Sequence, residues 1–122
     1  MKRSTYHFSG SSTDYYFEGN IKGLPELADP KQTVVVTDEN IFSHHAKKLR
    51  GWNTIVLKAG EAYKTQATVD SVIARLIGMQ ANRKTTLVGM GGGVITDIAG
   101  YVASVYMRGV AFGFVPTSLL GI

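Results

Sequence analysis

The sequence predicts an open α/β fold, a parallel sheet with helices on both faces, preceded by an N-terminal β-hairpin. Three observations carry that prediction. Short runs of β-branched and apolar residues recur along the chain, as in Val34-Val35-Val36 and Thr86-Leu87-Val88-Gly89-Met90. Between them lie stretches with apolar residues at helical spacing, as in Val69, Val72, Ile73, Leu76 and Ile77. Strand and helix alternate, the pattern of parallel strands joined by crossover helices, with ligands expected at the carboxyl ends of the strands.

The elements follow in order. Thr5 to Ser9 and Tyr15 to Glu18 flank the polar Gly10-Ser11-Ser12-Thr13-Asp14 and read as the hairpin. Gln32 to Thr37 is continuously β-branched at its centre, which predicts a strand covered on both faces. A helix is predicted from Ile41 to Leu49, then a strand from Asn53 to Lys58. Thr65 is placed to cap the helix that carries the Val69 stripe. After the strand Thr85 to Met90 and three glycines, a helix from Ile98 to Met107 is predicted, with Ile98, Val102, Val105 and Tyr106 on its apolar face. Gly100 and Ala103 leave room for close packing there. Phe112 to Val115 forms the last strand, ending at Pro116, and no internal repeat or low-complexity segment interrupts the order.

Gly91-Gly92-Gly93-Val94-Ile95-Thr96-Asp97, between a strand and a helix, reads as a phosphate cradle. Glycines allow backbone angles closed to other residues and a close approach by a ligand. The helix start supplies unpaired N–H groups and partial positive charge. Asp97 is expected in the first helical turn, where a carboxylate is favoured and can accept hydrogen bonds from a ligand. A plain tight turn is the alternative. The motif is not the usual dinucleotide fingerprint, because Val94 stands where a glycine would be needed, and no Gly-Lys-Ser/Thr ending makes it a Walker loop.

Other polar clusters follow the predicted strands. Thr37-Asp38-Glu39-Asn40 offers a carboxylate and an amide for a ribose, or a helix cap made by Thr37 or Asp38. Gly60-Glu61-Ala62-Tyr63-Lys64 reads equally as a ligand loop or a solvated turn, and Pro116-Thr117-Ser118 as two ligand hydroxyls or a helix start. His44 and His45 are neighbours on a helix and face different ways, and His7 is isolated, so no metal site is expected.

At 122 residues, with 44% hydrophobic and 18% charged residues, the chain has the composition of one ordinary globular domain. Its net charge of +4 permits phosphate ligands. The only basic cluster, Lys47, Lys48 and Arg50, sits where a helix end favours cations, so nucleic acid is not an expected partner. The absence of cysteine excludes disulfides and thiolate metal sites. No apolar stretch suits a signal peptide or a membrane span, so a cytoplasmic protein with no membrane partner is expected. The apolar ending Ser118-Leu119-Leu120-Gly121-Ile122 is the ending expected of a cut chain.

Four stretches together resemble the amino-terminal half of the 3-dehydroquinate synthases, a family of the sugar-phosphate cyclase superfamily. They are Thr37-Asp38-Glu39-Asn40, Gly60 to Thr65, Gly91 to Asp97 continuing to Tyr106-Met107-Arg108-Gly109, and Val115-Pro116-Thr117-Ser118-Leu119-Leu120. The resemblance implies that residues 1–122 are a Rossmann-like NAD-binding domain, without the helical carboxyl-terminal domain that holds the metal ligands and most substrate-binding lysines. It implies adenosine contacts from Asp38 and Asn40, and contacts near the ribose and phosphates from the Gly60 loop through Glu61 and Lys64. Gly92, Gly93 and Val94 would cover the pyrophosphate, with Asp97, Thr117 and Ser118 completing the cofactor site. Arg108 would bind the phosphate of the sugar-acid substrate in the neighbouring subunit of a homodimer, a task suited to a planar guanidinium.

The whole enzyme of this family converts 3-deoxy-D-arabino-heptulosonate 7-phosphate to 3-dehydroquinate and phosphate, in the shikimate pathway, using recycled NAD and a divalent metal, zinc or cobalt. This chain would then carry no catalytic or metal-ligating residue, and is expected to bind NAD weakly and to be inactive alone. Two positions depart from the family pattern: Thr96 stands where glycine is common, and Ser118 where threonine is common. The alternatives are another sugar-phosphate cyclase, a glycerol or iron-dependent alcohol dehydrogenase, and a stand-alone nucleotide-binding module acting through a partner chain.

Overall fold

The structure, a computed structural model, describes residues 5–9, 14–18 and 29–116. The strands are β1 (Thr5–Ser9), β2 (Asp14–Glu18), β3 (Thr33–Asp38), β4 (Asn53–Leu57), β5 (Thr86–Gly91) and β6 (Ala111–Pro116). The helices are α1 (Glu39–His45), α2 (Gln66–Gly78) and α3 (Gly93–Val105). All the strands join one six-stranded sheet in the order β2-β1-β6-β5-β3-β4. β3 to β6 are parallel, as predicted. The hairpin is also present, and it extends the sheet by pairing β1 antiparallel to β6 at Ser9 and Phe112, a long-range contact that no local pattern announces.

Chain direction distributes the helices. From β3 to β4 the chain moves one way along the sheet, and from β4 to β5 and β5 to β6 it moves the other way. Right-handed crossovers then put α1 on one face and α2 and α3 on the other. Strand alternation matches this. Val34, Val36 and Leu87 share a core with Val69, Val72 and Leu76 of α2 and with Ile95, Ile98 and Val102 of α3. Val35, Val88, Met90 and Val115 occupy the other face and are fully buried.

Four details differ from the sequence expectation. α1 starts at Glu39 rather than Ile41 and ends at His45, because Asp38 caps it; the chain then turns through Gly51, whose φ of 90° suits glycine. α3 starts at Gly93, well before Ile98, because Ile95 packs down into the core. Ile77 and Val105, assigned to buried stripes, are exposed: Leu76 takes the core position beside Ile77, and Tyr106 turns inward after Val105. The Tyr106 hydroxyl donates to the Ala81 carbonyl at 2.8 Å.

α3 lies unusually close to the sheet. A Cβ on Gly89 would stand 3.1 Å from the Ala99 Cβ, and one on Gly100 would stand 3.4 Å from the Phe112 ring. Gly89→Val should therefore lift α3 from β5 and cost about 1–3 kcal/mol, the usual range for overpacking. Urea unfolding measures it; an unchanged midpoint would show that the contact is slack.

Candidate functional site

Because β3 to β6 run parallel, their carboxyl ends share one edge of the sheet. The chain leaves β3 toward α1 on one face and leaves β5 toward α3 on the other, so a crevice opens between these neighbouring strands. The buried Thr37 hydroxyl donates to the Met90 carbonyl at 2.7 Å and ties the two strand ends together. Asp38 stands at the end of β3, where its Oδ1 accepts the Ile41 N–H at 2.8 Å. Of the two capping candidates, Asp38 is the cap.

The β5 end supplies the other wall. Gly91, at φ 154°, leads into Gly92, which precedes α3 without any side-chain cap. Thr96 N–H bonds back to the Gly92 carbonyl at 3.0 Å, which leaves the preceding N–H groups of the first turn facing outward without an intrahelical partner. The partial positive charge of the helix end is concentrated there. Beside it is a cleft of about 170 Å³ lined by Asp38, Lys58, Ala59, Gly60, Gly92, Gly93, Val94 and Ile95. Thr96 does not crowd it, because its hydroxyl donates back to the Gly92 carbonyl at 3.0 Å.

A second hollow, of about 310 Å³, lies between α2 and α3 and is lined by Lys64, Thr65, Gln66, Val69, Asp97, Ile98 and Tyr101. Thr65 caps α2 as predicted, accepting the Thr68 N–H at 3.2 Å. Lys64 Nζ donates to Asp97 Oδ2 at 2.8 Å and stands 4.0 Å from Glu61 Oε1. The hydrogen bond to Asp97 and the charge of Asp97 raise the Lys64 pKa above its ordinary value of 10.5. Asp97 is not in the first turn of α3, as the sequence suggested, but beyond Thr96. Lys64, rather than the helix dipole, holds its carboxylate.

The fold thus gathers Asp38, Gly60, Gly92, Gly93 and Val94 around one cleft, with Lys64 and Asp97 in the adjoining hollow. Glu61 is exposed beside Lys64. Asn40 lines neither space; its carbonyl bonds the Ser43 hydroxyl at 2.8 Å. Arg108 is exposed in the turn between α3 and β6, at the opposite edge of the sheet, with φ values of 48° at Met107 and 69° at Arg108. Thr117 and Ser118 lie outside the described residues. Lys58, which lines the cleft, escaped the sequence reading, and Glu39, quoted there only within a polar cluster, accepts the Ala59 N–H through its Oε1 at 3.4 Å. Lys58 directly follows β4, and that position was the available signal.

The sequence model described as 3-dehydroquinate synthase N-terminal matches residues 54–122, more than half of the chain. The chain belongs to this family. Among relatives, the 3-dehydroquinate synthase of Pyrococcus furiosus is 41% identical over 111 residues, covering 84% of this chain and 33% of its own length. That of Sulfurimonas denitrificans is 35% identical over 113 residues, covering 88% and 32%. This member of the 3-dehydroquinate synthase N-terminal family thus spans about a third of the length of the curated relatives it matches. A solved 2-deoxy-scyllo-inosose synthase, complexed with carbaglucose-6-phosphate, NAD+ and Co2+, superposes with a TM-score of 0.69 at 26% identity, covering 93% of this chain and 35% of its own. A 2-epi-5-epi-valiolone synthase from Streptomyces hygroscopicus subsp. jinggangensis with NAD+ and Zn2+ bound gives 0.60 at 29%, covering 73% and 27%.

Among the described residues, no three His, Cys, Asp or Glu side chains are grouped to hold a metal, and no helix is long and apolar enough to cross a membrane. The Lys64–Asp97 pair has a direct signature. Because the lysine pKa is raised, whatever stability the pair contributes is fully present below 10.5 and is lost as pH rises through the higher folded value. The 13Cε resonance of Lys64 should titrate at higher pH in the parent than in Asp97→Asn. Equal midpoints would show that the two side chains do not pair in solution.

Proposed function

We propose that residues 1–122 are the NAD-binding amino-terminal domain of a 3-dehydroquinate synthase, which converts 3-deoxy-D-arabino-heptulosonate 7-phosphate to 3-dehydroquinate and phosphate. One observation carries the reading: the uncapped start of α3 opens on a cleft at the β3/β5 switch point, where a dinucleotide is expected. The named relatives at 41% and 35% identity favour this substrate over those of the cyclases at 26% and 29%.

In this reading the first-turn N–H groups of α3 bind the pyrophosphate, which the glycines at 92 and 93 let approach the backbone. Val94 shields it from water. Asp38 and Asn40 serve the adenosine end, while Gly60, Glu61, Lys64 and Asp97 serve the ribose and phosphates, with Thr117 and Ser118 completing the contacts. Asp97, released from Lys64, accepts from a ribose hydroxyl. Bound NAD supplies the transient oxidation of a substrate hydroxyl. The described residues offer no donor set for the divalent metal, so the remainder of the protein would hold it. Arg108, far from this cleft, would reach the substrate phosphate in the partner subunit of a homodimer, in the cytoplasm.

Calorimetric titration of NAD tests the cofactor site. A Cβ at Gly93 meets nothing within 4 Å, so Gly93→Val should fold normally yet lose most NAD affinity by blocking the backbone. NAD binding as tight as the parent's would contradict the cradle. In the full-length protein, Asp97→Ala should weaken NAD by about tenfold, the scale of one charge-assisted hydrogen bond. Arg108→Ala should instead raise the substrate KM and leave NAD binding unchanged; equal loss of NAD affinity in both variants would contradict the division of roles.

A further inference from the structure

We propose that Lys58 is a further ligand-binding residue of the cleft, the cation that holds a dinucleotide pyrophosphate against the start of α3. The inference rests on the nucleotide reading of that cleft. Lys58 follows β4 directly, so the parallel sheet delivers it to the same edge as Gly92 and Gly93, and it lines the same space.

Charge makes the argument. The amino end of α3 offers only about half an elementary charge, against a doubly charged pyrophosphate. Asp38 lines the cleft with a carboxylate, and Glu39 adds another nearby at the Ala59 N–H. Lys64, the neighbouring cation, is engaged by Asp97 at 2.8 Å and Glu61 at 4.0 Å. Without Lys58, the cleft would present an anion with a net negative wall. Among the described residues Lys58 forms no ion pair, so no described acid neutralises its charge.

Its position is nevertheless defined. Gly60, at φ 115°, turns the chain so that Tyr63 comes back beneath Lys58, whose Nζ stands 5.6 Å from the centre of the tyrosine ring. An aromatic face attracts a cation without cancelling its charge, so the ammonium is held near the cleft and free to move onto a phosphate oxygen. The Ala59 N–H bond to Glu39 steadies the adjoining backbone.

The test titrates NAD into the full-length protein and its Lys58→Gln and Lys58→Arg variants at low and high salt, with adenosine as a phosphate-free probe. Lys58→Gln should lose about tenfold in NAD affinity at low salt, Lys58→Arg should recover most of it, and adenosine should bind all three alike. The loss should shrink at high salt, because an exposed charge is screened. NAD binding to Lys58→Gln equal to the parent's, or an equal loss for adenosine, overturns the inference alone. A full-length parent that binds no NAD at any salt overturns the nucleotide reading of the cleft, and this inference with it.

Discussion

The close seating of α3 on β5 is the constraint on which the rest of the site depends. Gly89 lets Ala99 approach the strand, and Gly91 leaves room for Ile95 just beyond it, where an added Cβ would stand 3.2 Å from the isoleucine. Two helix residues one turn apart are thus pressed against two strand residues on the same face. That contact aims the helix axis, and the axis decides where its unpaired N–H groups open. Were α3 a side chain's width further out, the same glycines would face solvent rather than the crevice between β3 and β5.

Electrostatics then divides the carboxyl edge into parts with different tasks. The start of α3 is uncapped and carries its partial charge exposed, whereas α1 is capped by Asp38 and α2 by Thr65. Of the three described helices only α3 starts without a side-chain cap. Lys64 and Asp97 are partnered with each other, so any ligand that uses either must exchange one polar contact for another rather than meet a bare charge. The pair is largely exposed, and its value is positional more than energetic.

The parallel arrangement also separates functions in space. A helix that starts at the carboxyl end of β5 must finish at the amino end of β6, and Arg108 lies in the turn that follows it. Asp97 and Arg108 are close in sequence yet lie toward opposite edges of the sheet. A single chain cannot bring that arginine back to its own cleft without undoing α3.

Much of this was legible from local sequence, because strand alternation, helix periodicity and glycine runs are themselves local. The parallel strands, the hairpin, the Thr65 cap and the glycine turn were all readable, as was the family resemblance carried by the Gly91 to Gly109 stretch. Exposure was less so: Ile77 and Val105 fit apolar stripes, but which residue faces the sheet depends on how the helix is rotated against it. The start of α3 depended on Ile95 finding the core, and the place of Asp97 on Lys64, a residue distant in sequence. The pairing of β1 with β6 and the gathering of Lys58 with Gly92 and Gly93 around the cleft were decided by tertiary structure alone. Each is a relation between residues far apart in the chain or between an element and its neighbours, and a sequence states such relations only after the sheet has assembled.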